Sequence, residues 1–252
     1  MTVRHSRMCR IRYSDGRWIH FHPDATLVDR KIHFATISEF NQRIRDYWCY
    51  GYTPKAGDVV VDVGAGSGHE AMLFSQMVGE RGRVIAIEAH PFTYSCLRET
   101  VRLNGLKNVT TIWCAAADRS GMAQISDNQN DLQNTIVSGT GSVQVPMRTL
   151  EEICTVEQIS RISLLKMNIE GAEQFALPGL RSMASSTEHL AIACHDFLAE
   201  WGKGDEFRTR EKVSHWLAQE GFAIATRTDQ RAWVQHCLYA KPIAIPSRIR
   251  SA

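Results

Sequence analysis

Residues 57–91 gather glycines and carboxylates at spacings suited to holding a small polar ligand. The apolar run Val59 to Val63 leads into Gly64-Ala65-Gly66-Ser67-Gly68, with Asp62 two residues ahead of the first glycine. A helix that opens directly after such a loop presents unpaired backbone N–H groups and its positive dipole end to whatever lies above it. Further on, Ile85-Ala86-Ile87-Glu88-Ala89 ends a second apolar run in a carboxylate. An acid at that point can accept hydrogen bonds from both hydroxyls of a ribose. A glycine cluster by itself is a common strand-to-helix turn, but loop and acid together point to a ligand that contains a nucleoside. Asp118 follows Ala115-Ala116-Ala117, a run of small residues that leaves room for a flat base. Its carboxylate either reaches an adenine amine or closes the turn before Arg119-Ser120-Gly121.

Position 69 separates the nucleoside ligands. The dinucleotide fingerprint G-x-G-x-x-G requires glycine there, whereas this chain has His69. A pyrophosphate needs the tight helix start that the third glycine allows. S-adenosylmethionine carries no phosphate and needs only a narrow glycine shelf for its amino-acid end. The expected cofactor is therefore S-adenosylmethionine, held by Asp62, Gly64, Ala65, Gly66, Gly68, Glu88, Ala89, Asp118 and Asn168. A nicotinamide-dependent oxidoreductase is the competing enzyme, and a non-catalytic module that binds the same ligand is the competing non-enzyme.

The residues for the reaction itself follow later strands. In a doubly wound sheet ligands sit beyond the carboxyl ends of the strands, which makes Asn168, Glu170 and His195 the candidates to face a transferred methyl group. Methyl transfer is an in-line displacement at an activated carbon, so alignment supplies much of the acceleration and a base is needed only where the acceptor must lose a proton. His195 has the chemistry to take a hydroxyl proton near neutral pH, or else is a hydrogen-bonded strand-end histidine. Glu170 and Glu173 flank Gly171, whose presence indicates a tight turn that the two carboxylates either fix through backbone N–H groups or put to chemical use.

These groups need a scaffold. Short apolar runs at Val59–Val63, Arg83–Ile87, Val109–Cys114, Ser163–Met167 and His189–Cys194 read as buried parallel strands, with His69–Val78 and Pro91–Asn104 as the clearest crossover helices. Phe222–Arg227 and Trp233–Ala240, joined by Thr228-Asp229-Gln230, read as an antiparallel pair. Ahead of them, Val3–Tyr13 and Trp18–His22 flank the turn-prone Ser14-Asp15-Gly16, and Ile37–Tyr50 has helical spacing with Ser38 near its start and Phe40, Ile44, Tyr47 and Trp48 on one side. The expected architecture is α/β: a doubly wound, Rossmann-like, seven-stranded and mostly parallel sheet with an antiparallel C-terminal hairpin, preceded by a small N-terminal β-hairpin and helix. Residues 1–54 form a packing extension, 55–245 the catalytic domain and 246–252 a basic tail.

Composition narrows the partners. The 29 basic and 27 acidic residues nearly cancel and form no long run, which argues against nucleic acid. Seven scattered cysteines lack any Cys-x-x-Cys pair, so neither a disulfide framework nor a zinc site is expected, and the thiols should be reduced and mostly buried. No run is long and apolar enough for a membrane span or signal peptide, giving a cytoplasmic protein as the expectation. The oligomeric state has no readable code. Neither has the acceptor pocket, for which Ile37–Tyr50, Asp127–Gly141 and Phe197–Arg208 are candidate walls, with Trp201 and Phe207 as either lining or packing aromatics.

Four segments resemble the FkbM-type S-adenosylmethionine-dependent methyltransferases: Gly57 to Ala65, Ile87 to Pro91, Arg148 to Ile153, and Leu165-Lys166-Met167-Asn168-Ile169-Glu170-Gly171-Ala172-Glu173. The likeness spans about Lys55 to Ala240. It implies the class I methyltransferase fold and transfer to oxygen; a small hydroxylated molecule or a sugar is the expected acceptor, its identity left open. Two positions depart from the family. Gly66 stands where asparagine is frequent, a change toward the general class I pattern. Asn168 stands where the family usually has aspartate, and a carboxamide serves neither as a carboxylate base nor as a strong ligand for a hard metal. No metal is therefore expected at the reaction centre.

Overall fold

The computed structural model describes residues 2–6, 9–125 and 143–243. The strands in chain order are β1 (Thr2–Ser6), β2 (Cys9–Ser14), β3 (Arg17–Phe21), β4 (Thr26–Asp29), β5 (Val59–Val63), β6 (Arg83–Glu88), β7 (Val109–Trp113), β8 (Ala115–Ala116), β9 (Gly121–Ile125), β10 (Val143–Arg148), β11 (Leu164–Met167), β12 (Leu190–Ala193), β13 (Phe222–Ala225) and β14 (Cys237–Pro242). The helices are α1 (Ile37–Trp48), α2 (His69–Val78), α3 (Pro91–Leu103), α4 (Leu150–Val156), α5 (Glu173–Ala176), α6 (Asp196–Glu200), α7 (Arg210–Gln219) and α8 (Ala232–Gln235). The segment Asp127–Gly141 and the basic tail 246–252 lie outside the described residues.

The central sheet has seven strands in the order β13-β14-β12-β11-β5-β6-β7. β12, β11, β5, β6 and β7 pair in parallel, and β14 runs antiparallel between β12 and β13. Alternation along β5 sends Val61 and Val63 into the layer with Leu150 and Ile153 of α4 and Val213 and Trp216 of α7. Val60 joins the opposite layer, with Phe74 of α2, Leu97 of α3 and Trp48 of α1. Both faces are thus covered by helices, the doubly wound arrangement expected from uninterrupted apolar strands.

Three elements differ from the sequence reading. The last strand begins at Cys237 rather than Trp233, because Arg231 locks the preceding turn. Its backbone N–H and guanidinium both bind Asp229 (2.9 and 2.6 Å), and the guanidinium also reaches Asp46 at 2.8 Å, leaving Ala232–Gln235 as one helical turn. Helix α1 begins at Ile37 as expected but ends at Trp48 rather than Tyr50, and its cap is Thr36, whose hydroxyl accepts from Glu39 N (3.2 Å) while the Glu39 carboxylate accepts from Thr36 N (2.7 Å), a capping box that leaves Ser38 inside the helix. The N-terminal hairpin is larger than expected. β2 and β3 do meet at Asp15-Gly16, where φ of 51° and 77° matches a type I′ turn, but β1 and β4 extend the pair to a four-stranded antiparallel sheet.

That sheet docks on α3. Side chains there satisfy the exposed edge of β4: Thr100 Oγ1 accepts from Val28 N (3.0 Å), and the Asn104 carboxamide both accepts from Thr26 N (2.8 Å) and donates to Thr26 O (2.6 Å). Covering an edge this way removes a template for unwanted strand pairing. A second small sheet, β8-β10-β9, flanks the end of β7. All seven cysteines are free thiols, six of them buried and Cys9 half-buried.

Candidate functional site

The chain leaves β5 toward β6, while β11 lies on the other side of β5, so the carboxyl ends open a crevice above β5. The glycine loop fills its floor. Gly64 N and Ala65 N both donate to Ile87 O, at 2.9 and 3.0 Å, which ties the loop to β6. Gly64 has φ of 75°, and a Cβ on it would sit 1.9 Å from Asn168 O. Only glycine lets the ends of β5 and β11 approach so closely. Gly66 has φ of 55° and its missing Cβ would meet nothing within 4 Å, because it borders the cleft. Its N–H donates to Glu88 Oε2 at 2.9 Å, and Glu88 Oε1 accepts from His90 N at 2.9 Å. Ala65 is fully buried, and Gly68 caps α2 with φ of 96°.

Asp62 stands beneath this floor rather than on it. It is the register partner of Lys166 on β11, and Lys166 Nζ lies 2.8 Å from Asp62 Oδ1 while donating to Gly64 O at 2.7 Å. Both side chains are buried. Burial pushes the Asp62 carboxyl up to about 6, with the ammonium of Lys166 pulling the other way. Burial also works against the charge of Lys166, and the Asp62 carboxylate more than restores it. The pair therefore holds Gly64 from below, a role that a scan for ligand-facing acids misses because Asp62 and Lys166 are far apart in sequence.

The cleft encloses about 830 Å³, counting its part open to solvent. Of the expected residues, Gly64, Gly66, Glu88, Ala89, Asn168 and Glu170 form its wall. Cys114, Ala115, Ala116 and Ile125 add an apolar pad beside Glu88. The alanines were legible as room for a base. Ile125 was not, since it arrives from β9 through the side sheet. Asp118 is not on the wall; it is exposed and pairs with Arg119 at 3.4 Å, the turn alternative. Phe207 is buried and would touch a Cβ at Gly171 (3.1 Å), while Trp201 is exposed, and neither lines the cleft.

The opposite wall is a strained turn. After β11, Glu170 takes φ of 47° and Gly171 φ of 94°. A left-handed conformation is routine for glycine and costly for glutamate, of the order of 1–3 kcal/mol, so the surroundings must impose it. Glu173 does so: the buried carboxylate Oε1 accepts from Ile169 N and Gly171 N, both at 3.3 Å, and binds His195 Nδ1 at 2.9 Å. A carboxylate only accepts, so Nδ1 of His195 carries the proton and Nε2 is the basic nitrogen. His195 is buried and does not reach the cleft wall. Burial lowers its affinity for a proton, but the charge and hydrogen bond of Glu173 outweigh that and raise it overall. Burial pushes the Glu170 carboxyl up to about 8, helped by the charges of Glu173 and Glu88 and opposed by His195.

The wall thus presents two carboxylates, one imidazole and backbone N–H groups, with no lysine or arginine among the described residues. The two carboxylates suit a cationic sulfonium nucleoside, and the wall lacks the side-chain cations that would offset the charge of a pyrophosphate. Glu88 and the Gly66 shelf would take the ribose and amino-acid ends, and the apolar pad the base. No helix among the described residues is long and apolar enough to cross a membrane.

Comparison with known proteins agrees. The family described as Methyltransferase FkbM domain matches residues 62–218, more than half of the chain. Methyltransferase 1 of Beauveria bassiana is 23% identical over 70% of this chain and 77% of its own length. The protein-L-isoaspartate O-methyltransferase of Aeropyrum pernix is 37% identical over 23% of each chain, so the match spans under a quarter of that relative. Among solved structures, the FkbM methyltransferase of Methylobacillus flagellatus superposes with a TM-score of 0.51 at 19% identity, over 73% of this chain and 43% of that one. The fibrillarin of Aeropyrum pernix, solved with natively bound S-adenosyl-L-methionine, superposes with a TM-score of 0.50 at 14% identity, over 96% and 98% of the two chains. The chain belongs to the FkbM methyltransferase domain family.

Proposed function

We propose that the chain methylates a hydroxyl group on a small molecule or sugar, with residues 55–245 as the catalytic unit and Glu170 as the base. The observation that carries this reading is the left-handed backbone of Glu170 on the cleft wall: strain maintained at one non-glycine residue is a mark of function, and here it holds a carboxyl in the cleft. A hydroxyl must lose its proton as it attacks, and a base whose pKa lies near the working pH serves best. Burial sets Glu170 in that range, at about 8. Asn168, beside it, offers a carboxamide to orient the acceptor hydroxyl. Bound S-adenosylmethionine supplies a methyl group already activated on cationic sulfur, so alignment by these residues is the larger part of the protein's contribution. His195 and Glu173 act as positioning residues that hold the turn and tune the charge around Glu170. The balanced charge of the chain, +2 overall, favours a small acceptor over a nucleic acid.

The test is transfer of a labelled methyl group from S-adenosylmethionine to a panel of hydroxylated small molecules and sugars, with the labelled products identified by mass spectrometry. O-methylated product formed by the natural chain and at least a hundredfold less by Glu170→Gln supports the reading. Label found on nitrogen or carbon sinks the oxygen assignment. S-adenosylmethionine that binds and is never turned over with any acceptor assigns the chain to a non-catalytic binding role.

A further inference from the structure

A group of imidazoles lies at the seam between the N-terminal sheet and the helix that opens at the glycine loop. Asp29 ends β4, His33 follows in the connection to α1, and His69 is the first residue of α2. Asp29 is buried, with Oδ2 2.8 Å from His33 Nε2 and Oδ1 accepting from Lys31 N at 3.1 Å. The His33 and His69 rings meet edge to face at 5.1 Å, and the Phe40 ring closes over His69 at 4.3 Å. One donor atom from each of Asp29, His33 and His69 lies within 4.8 Å of the others. Nε2 of His69 is buried and finds no hydrogen-bond partner among the described residues.

Buried polar atoms in native structures are almost always satisfied, and one left over beside two further donors signals an unfilled ligand role. We propose that Asp29, His33 and His69 bind a divalent transition-metal ion of the zinc class, clamping the N-terminal sheet to the start of α2. Two imidazoles and one carboxylate are a donor set that Zn²⁺ accepts in tetrahedral geometry, with water or a further side chain in the fourth position. Phe40 and the docked sheet exclude solvent from one side, as a site that holds a metal for structural reasons requires. The ligands come from three separate elements, which is why no compact metal motif exists in the sequence. Because His69 follows Gly68 directly, the metal would fix the helix end that shapes the cofactor shelf. It lies outside the reaction centre and does not depend on which acceptor is methylated.

The experiment uses the full chain, stripped with a chelator and titrated with Co²⁺, read by visible ligand-field absorption and by equilibrium dialysis, then with Zn²⁺ as competitor. The expected result is one Co²⁺ per chain, displaced by Zn²⁺, with binding weakened roughly tenfold or more in His33→Ala, His69→Ala and Asp29→Asn. Circular dichroism confirms that each variant is folded, and His33→Asn, in the half-buried connection, replaces any that is not. A neighbouring donor set, Cys9, His20 and His22, serves as the internal contrast, and Cys9→Ser is expected to bind as the natural chain does. Folded natural chain that takes up no Co²⁺, or binding unchanged in the folded His33 and His69 variants, overturns the proposal. So does binding lost only in Cys9→Ser, which would place the metal in the other set.

Discussion

The two walls of the cleft are built on opposite principles. On the glycine-loop side every conformation is one that its residue adopts readily: glycines take positive φ at 64, 66 and 68, and Glu88 accepts from two neighbouring N–H groups. Its support is a buried ion pair, Asp62 with Lys166, that does not face the ligand. On the turn side a glutamate is forced into glycine's conformation, and the support is a buried carboxylate that serves two backbone N–H groups and one imidazole at once. The first wall is relaxed. The second is strained and titratable. A surface that must present one rigid shape to one cofactor is best built from backbone that settles there without strain, whereas a surface that moves a proton needs groups whose pKa lies within the working range.

The largest effect comes from breaking the support of the relaxed wall. Lys166→Met leaves Asp62 in the interior without its ion-pair partner, and removing one partner of a buried pair costs about 3–5 kcal/mol. Urea unfolding should show that loss, and the double variant Asp62→Asn with Lys166→Met should recover most of it because no unpaired charge remains. A single variant that loses less than about 1 kcal/mol would mean that the loop is not anchored from below and that the contrast between the walls is overstated.

The next effect isolates ligand binding. In Gly66→Val the new side chain enters the open space beside Glu88 and strains a backbone at φ of 55°. Titration calorimetry with S-adenosylhomocysteine should show affinity lower by about a hundredfold, equivalent to about 2.7 kcal/mol. The strained wall should not change, so the titration of Glu170 is expected to stay where it is. A shift in that titration would show that the walls are coupled through their backbones and not only through the charge of Glu88 acting on Glu170.

The contrast also explains what the sequence could reveal. The relaxed wall is written in contiguous residues: Val59 to Gly68 is one strand and one loop, and Ile85 to Ala89 one strand end, so glycine spacing and a terminal acid suffice to read it. Its foundation is not contiguous. Asp62 and Lys166 become partners only through the pairing of β5 with β11, and Asp62 therefore read as a ligand-facing acid. The strained wall was legible as a turn through Gly171, yet Gly171 hides that its neighbour Glu170 shares the unusual conformation. His195 read as facing the methyl group because strand ends do so in this fold; its hydrogen bond to Glu173 turns it into a buried support instead. The seven-stranded, mostly parallel sheet followed from the uninterrupted apolar runs. The side sheet β8-β10-β9 did not, since its strands are short and cross a long interval of sequence.

A smaller effect separates support from chemistry on the strained wall. Glu173→Gln keeps the shape but weakens three interactions at once, and loss of a buried charged acceptor costs about 1–3 kcal/mol. The charge of Glu173 raises the proton affinity of both His195 and Glu170. Its removal should therefore move the rising limb of the pH–rate profile to lower pH while reducing the maximum rate. A purely structural role would lower the rate without moving the limb.

The smallest change in stability carries the sharpest test. Glu170→Gly relieves a left-handed glutamate and removes a half-buried titrating group, and it should stabilise the fold by about 0.5–1 kcal/mol, part of the relief being lost to the greater freedom of glycine in the unfolded chain. The same variant should abolish methyl transfer. The pH dependence fixes the sign independently. Glu170 titrates at about 8 when folded and at 4.5 as an ordinary carboxyl, so the folded state holds the proton more tightly. That contribution to stability is fully present below pH 4.5 and is lost as the pH rises through about 8. His195, raised as well, acts in the same sense above its ordinary value of 6.5. If the ionised carboxyl of Glu170 is the base, the rate climbs over the interval in which stability falls. In Glu170→Gly the fall should become shallower by the share that Glu170 contributes, and thermal melts from pH 5 to 9 would show it. A variant that melts with an unchanged slope would mean that the folded carboxyl of Glu170 titrates like an ordinary one, and the pairing of strain with proton transfer on this wall would have to be given up.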